Sequence, residues 1–106
     1  MDLAAKPSWT FLSNHGHTLI YLSQNPDARL RDIAEAVGIT ERFAHAIIGD
    51  LIEAGYVTST KVGRRNEYSV DASLAFRHPL ESGIPVSKLL TLFATPSTKK
   101  PPARSN

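Results

Sequence analysis

Residues 31–42 read Arg31-Asp32-Ile33-Ala34-Glu35-Ala36-Val37-Gly38-Ile39-Thr40-Glu41-Arg42, two helical patterns parted by a glycine. Leu30, Ile33, Ala34 and Val37 recur at helical spacing, which predicts a short helix from about Leu30 to Val37. Gly38 stops it, because glycine alone enters the left-handed region without strain. Thr40 then caps a new helix, and Glu41 complements the positive end of its dipole. Within that helix Ala44, Ile47, Ile48 and Leu51 fall at i, i+3, i+4 and i+7, so one stripe faces a core. The helix runs over 40–54, and Gly55 ends it.

Upstream, Asn14 is a plausible cap for a first helix over His15–Ser23, with Leu19, Ile20 and Leu22 supplying apolar contacts. Asn25-Pro26-Asp27 breaks the chain, and Arg29-Leu30 has room for no more than a sheet-edge fragment. Downstream, Tyr56-Val57-Thr58-Ser59-Thr60 reads as a strand rich in β-branched residues. Val62-Gly63-Arg64-Arg65-Asn66 reads as a turn, and Glu67-Tyr68-Ser69-Val70 as the returning strand. A last helix is expected over Val86–Phe93, where Leu89, Leu90, Leu92 and Phe93 crowd together. Helix, short strand, helix, glycine turn, helix and hairpin make a winged helix-turn-helix. The expected class is α+β, mainly α, with an extra C-terminal helix.

Length and composition set the outer bounds. The chain has 106 residues, 42% of them hydrophobic and 21% charged, which suits one domain with one core. So small a core leaves little material for a deep, walled substrate pocket, which weighs against most enzymes. The absence of cysteine removes disulfides, thiolate metal sites and cysteine nucleophiles together. No apolar run is long enough to cross a bilayer, and Met1–Lys6 lacks the pattern of a secretion signal. A cytoplasmic protein without membrane association is expected.

The net charge is only +2, but its distribution is uneven. Between Ala28 and Val70 the cations Arg29, Arg31, Arg42, Lys61, Arg64 and Arg65 are cancelled by Asp32, Glu35, Glu41, Asp50, Glu53 and Glu67. Positive charge is concentrated at Lys61–Arg65 and in the tail, where Lys99, Lys100 and Arg104 have no acidic neighbour after Ala94. Such local concentration points to a polyanion more than the net value does. Thr95–Asn106 carries no large apolar side chain, so it is expected to be disordered. It is either a basic arm that attracts phosphates or a solvated end. The expected organisation is a flexible arm over 1–8, the winged domain over 9–71, a connector and C-terminal helix over 72–94, and the basic tail over 95–106.

The 31–42 segment resembles the helix-turn-helix of prokaryotic winged-helix transcription regulators, broadly the multiple-antibiotic-resistance (MarR-like) and arsenic-repressor (ArsR-like) groups. Leu51-Ile52-Glu53-Ala54-Gly55-Tyr56-Val57 is similar to their junction between recognition helix and wing. The flanks Phe11-Leu12-Ser13-Asn14-His15-Gly16-His17 and Arg77-His78-Pro79-Leu80-Glu81 resemble a compact single-domain subgroup. The resemblance spans roughly Thr10 to Phe93. It implies a DNA-binding transcriptional regulator whose partner is double-stranded DNA.

With its core stripe turned inward, the 40–54 helix presents Thr40, Glu41, Arg42, His45, Ala46 and Gly49 outward. Arg42 can bond a guanine edge through two parallel donors, His45 a base or phosphate, and Thr40 a phosphate at the helix start. Arg31 in the preceding helix is a further phosphate candidate. Lys61, Arg64, Arg65 and Asn66 cluster on the hairpin, where they either contact phosphates and the minor groove or form a solvated tip. Ala46 stands where such regulators often carry a long polar residue, and Phe43 where a small polar one is usual. Phe43 is expected to be buried beside the core stripe; otherwise it is an aromatic suited to a protein partner.

Trp9, Phe11, Leu12, Leu89, Leu90, Leu92 and Phe93 exceed what one small domain needs to bury. They are expected to form a homodimer interface, the alternative being that the last helix folds back on its own domain. A two-fold dimer would set two recognition helices about one DNA turn apart. His15 and His17 lie two residues apart and so point to different faces of a helix, which argues against a shared metal ion. Ser13, Ser23 and the carboxylates form no triad or paired-acid pattern, so no catalysis, metal or cofactor is expected. No residue pattern names a small-molecule effector. A winged-helix protein-interaction module, using Phe43, Ala46 and Ile48, is the competing reading.

Overall fold

The computed structural model describes residues 7–94. The expected basic tail over 95–106 and residues 1–6 of the expected arm lie outside them. Three helices come first, α1 (Asn14–Gln24), α2 (Leu30–Val37) and α3 (Glu41–Glu53). An antiparallel hairpin follows, β1 (Val57–Val62) and β2 (Arg65–Val70), then a 3-10 turn at Pro79–Glu81 and a last helix, α4 (Ser87–Phe93). This is the winged helix-turn-helix arrangement, mainly helical.

Local chemistry accounts for each boundary. Ser13, not Asn14, caps α1: its backbone is extended, and its hydroxyl accepts the Gly16 N–H at 3.2 Å, so Asn14 becomes the first helical residue. Gly38 adopts φ 86°, and the N–H groups of Gly38 and Ile39 both donate to the Ala34 carbonyl, ending α2 in a tight reversal. Thr40 restarts the chain as a helix by accepting the Phe43 N–H at 3.0 Å. No strand forms at Arg29-Leu30. Asn25–Ala28 closes a turn, which leaves Arg29 as the extended cap residue of α2 and Leu30 as its first turn. A backbone hydrogen bond stands in that place, from the Tyr68 N–H to the Pro26 carbonyl at 2.8 Å.

The hairpin is longer and its loop tighter than the alternation predicts. Strand pairing runs unbroken from Val57↔Val70 to Val62↔Arg65, so only Gly63-Arg64 remains at the tip. Gly63 takes φ 65°, which lets the ladder continue to the very end of the loop. Lys61 therefore lies in β1, while Arg65 and Asn66 lie in β2.

Leu22, Ile33 and Ile47, one from each of the first three helices, are fully buried at the centre of the core. All four stripe residues of α3 are buried, and Val57 and Tyr68 bring the hairpin onto the same cluster. After β2, the side chain and backbone of Ser73 both hydrogen-bond the Asp71 carboxylate, holding its pKa below the ordinary value. The connector then doubles back, with the Val86 N–H on the Leu74 carbonyl and Phe76 paired to Ile84. Val86 is buried and Leu90 packs on the core, so that side of α4 serves its own domain. Gln24 of α1 secures the end of α4 by donating to the Phe93 carbonyl at 2.6 Å.

Two substitutions test this packing in opposite directions. Ile47→Ala removes a fully buried side chain, and should cost about 2–5 kcal/mol in urea unfolding. Thr18 is also fully buried, and among the described residues its hydroxyl has no hydrogen-bond partner. Thr18→Val keeps the shape and removes that desolvated group, so unfolding free energy should rise by about 1 kcal/mol.

Candidate nucleic-acid interface

The burial of Ala44, Ile47, Ile48 and Leu51 sets the rotation of α3 about its axis. Thr40, Glu41, Arg42, His45, Ala46, Gly49 and Glu53 are left exposed as a result. Phe43 is 46% exposed, so the expectation that it is buried fails. At 100° per residue it sits about a quarter-turn from the centre of the inward stripe, on a flank that no neighbouring element fully covers. Ile48 errs the other way. It is 5% exposed and belongs to the core, so it contributes little to an outer surface.

Between α3 and the hairpin lies an open cleft of about 570 Å³. One wall carries His45 and Gly49, and the other carries Ser59, Arg64, Arg65 and Asn66. Arg29, immediately before α2, closes one end. Ile52 and Tyr68 supply apolar floor. Among the described residues no aspartate or glutamate lines the cleft, although acids cancel the cations over Ala28–Val70 as a whole. Arg64, Arg65, Asn66 and His45 are thus brought together. Arg31, Thr40, Glu41, Arg42 and Lys61 are exposed but stand outside the cleft walls. Arg42 and Thr40 lie at the leading end of α3, and Lys61 pairs with Asn66 across the hairpin.

Arg65 does two things at once. Its Nη2 donates to the Asp27 carbonyl at 2.6 Å, and the nearby Tyr68–Pro26 bond lies on the same strand. Together they hold β2 against the loop that precedes α2, which fixes the opening of the cleft. Sequence patterning presents Arg65 as a phosphate or minor-groove contact or part of a solvated tip, not as a tether, and counts Arg29 among the cations without placing it at the interface. The signal for Arg29 is its place just ahead of a helix start, where a cation is displayed without belonging to any periodic face.

The histidines diverge as their spacing predicts. His15 Nε2 lies 2.8 Å from the Asp50 carboxylate of α3, whereas His17 borders a groove with Ala36 and Val37 of α2. The His15–Asp50 contact links α1 to α3 and engages one of the exposed acids of α3. Among the described residues no group of three or more His, Cys, Asp or Glu side chains is placed to hold a metal ion. No helix among them is long and apolar enough to cross a membrane.

Of the apolar residues at the termini, Leu90 is engaged on the domain's own core. Phe11 is 94% exposed, and Trp9, Leu92 and Phe93 are exposed as well. Trp9 and Phe11 meet edge to face with ring centroids 5.2 Å apart. Leu12 and Leu89 border a second groove, beside Phe11, of about 370 Å³.

Residues 13–58 match the family model described as winged helix-turn-helix DNA-binding. The match runs from the cap of α1 to the start of β1, and it supports a DNA-binding regulator of the winged-helix kind. No curated protein is matched by the chain.

The tether makes its own prediction. Arg65→Ala should lower unfolding free energy by no more than about 1 kcal/mol, since the bond is exposed. It should also speed amide exchange at Tyr68, measured by NMR, while leaving Ile47 in the core protected.

Proposed function

We propose that this chain is a DNA-binding transcriptional regulator that lays α3 in the major groove and rests the hairpin on the flanking phosphates or in the adjacent minor groove. One observation carries the reading: cations gather around the α3–hairpin cleft while every acid among the described residues stays off its walls. A duplex lowered onto α3 meets Arg42 and Thr40 first, with His45 on the cleft side and Arg64 and Arg65 beyond. Arg29, Arg31 and Lys61 add cations around the same footprint. Glu41, at the start of α3, disfavours phosphate and suits a cytosine amino group instead.

The exposed aromatic and aliphatic surface at the chain ends suits a homodimer. Among the described residues Trp9, Phe11 and Leu92 have little to cover them and Phe93 is half-covered, and an isologous contact would hide all four twice over. Leu12 and Leu89 would border that contact, with Leu90 supporting it from the core side. A dimer also places two α3 helices on successive half-sites, in keeping with the compact prokaryotic regulators that the chain resembles.

A second reading, a protein-interaction module, draws on exposed Phe43 and Ala46. The burial of Ile48 shrinks the surface available to it. A fluorescence anisotropy titration against random duplex at low and moderate salt separates the two. The regulator requires salt-sensitive binding at micromolar protein or tighter. Arg64→Ala should make the dependence of log K on log salt shallower by nearly one. An unchanged slope removes the wing from the interface, and no binding at low salt removes DNA as the partner. For the dimer, Phe11→Glu combined with Leu92→Glu should halve the mass measured by light scattering. Retention of the dimer mass sinks this interface.

A further inference from the structure

The outer face of α3 is chemically lopsided. Arg42, Ala46, Gly49 and Glu53 follow one another at i, i+4, i+7 and i+11, along the line opposite the core stripe. Phe43 stands about a quarter-turn from that line, 46% exposed. Its position is set by the cap, since its N–H is held by the Thr40 hydroxyl at 3.0 Å. His45 belongs to the flank that faces the cleft, and Asp50 is engaged by His15 at 2.8 Å. Between Arg42 and Glu53, the side of α3 turned away from the hairpin offers Phe43 and Ala46, with the Asp50 carboxylate tied to His15 through one oxygen, and Gly49 lies on the edge shared with the cleft. A Cβ placed on Gly49 would meet nothing within 4 Å, so the helix surface there is open and low.

An apolar surface of this kind cannot read the donors and acceptors of a base edge. Set against an adenine or cytosine amino group, Phe43 would strip water from a donor and supply no acceptor in return. Only one of the four bases presents an apolar group in the major groove, the C5-methyl of thymine. Resting on the DNA-binding reading above, we infer that Phe43 and Ala46 make α3 a reader of thymine methyl groups beside the guanine that Arg42 contacts. Phe43 covers one methyl with its ring, and Ala46 allows the backbone of α3 close enough for a second. Gly49 keeps the next turn from holding the helix away. The preferred half-site therefore carries thymine next to guanine, on the side away from the hairpin.

Deoxyuridine isolates this contact, because it differs from thymidine only by that methyl. Duplexes recovered by repeated selection from a random pool with the full chain would be remade with each thymine in turn replaced by deoxyuridine. Losing a buried methyl should weaken binding about fourfold at the thymines next to the Arg42 guanine, and should have no effect elsewhere. Phe43→Ala changes an exposed side chain, so the protein still folds; it should remove the thymine-over-uracil preference at the thymine beneath that ring and keep the preference at the thymine beneath Ala46. A uniform tolerance of uracil overturns the inference while leaving DNA binding intact. So does a Phe43→Ala protein that keeps the preference at every thymine, which would take that ring out of the base contact. Failure to select any duplex overturns the regulator reading and this inference with it.

Discussion

Four side chains govern what this molecule can present to a partner. Ala44, Ile47, Ile48 and Leu51 lock α3 against α1, α2 and the hairpin, and a helix locked on one side has no freedom to choose its other face. Everything exposed on α3 follows from that choice. A quarter-turn of the helix would bury Phe43 and bring Ile48 to the surface. The core therefore specifies the outer surface as firmly as it specifies stability, and the Thr40 cap and the Gly38 reversal serve by starting the helix at the right residue.

The second wall of the cleft needs its own support, because a two-stranded hairpin is not stable alone. Val57 and Tyr68 anchor its base in the core, and two bonds to the loop at Pro26 and Asp27 steady β2 from outside. Charge follows the same geometry. Glu67 lies on the hairpin and Asp50 and Glu53 on α3, yet none of them lines the space between the two elements. A region neutral in sum thereby gains a locally positive concave surface.

Much of this was legible before any coordinates. Helical spacing located α2 and α3 to within a residue, because Leu30–Val37 and Ala44–Leu51 repeat with the period of a helix and end at glycines. The hairpin was legible too, although its loop was drawn too wide: composition marks where a chain can turn, whereas the ladder's reach to Val62 and Arg65 depends on pairing across strands. Phe43 and Arg29 show the limit. Burial of a ring beside a core stripe depends on which neighbouring helix covers that flank, and a cation's usefulness depends on which concavity it borders. Both are tertiary facts. The fold-back of the connector, with Val86 and Leu90 in the core, likewise depends on contacts between distant parts of the chain.

The edge-to-face pair at the N-terminal end has a practical side. Trp9 is the sole tryptophan, and it lies on the surface, 68% exposed, far from the packed interior. Its intrinsic fluorescence consequently reports on that corner of the molecule, with the red-shifted emission of a solvated indole. Loss of the core during a melt would pass almost unseen in this signal, whereas any surface that closes over Trp9 would shift it to the blue.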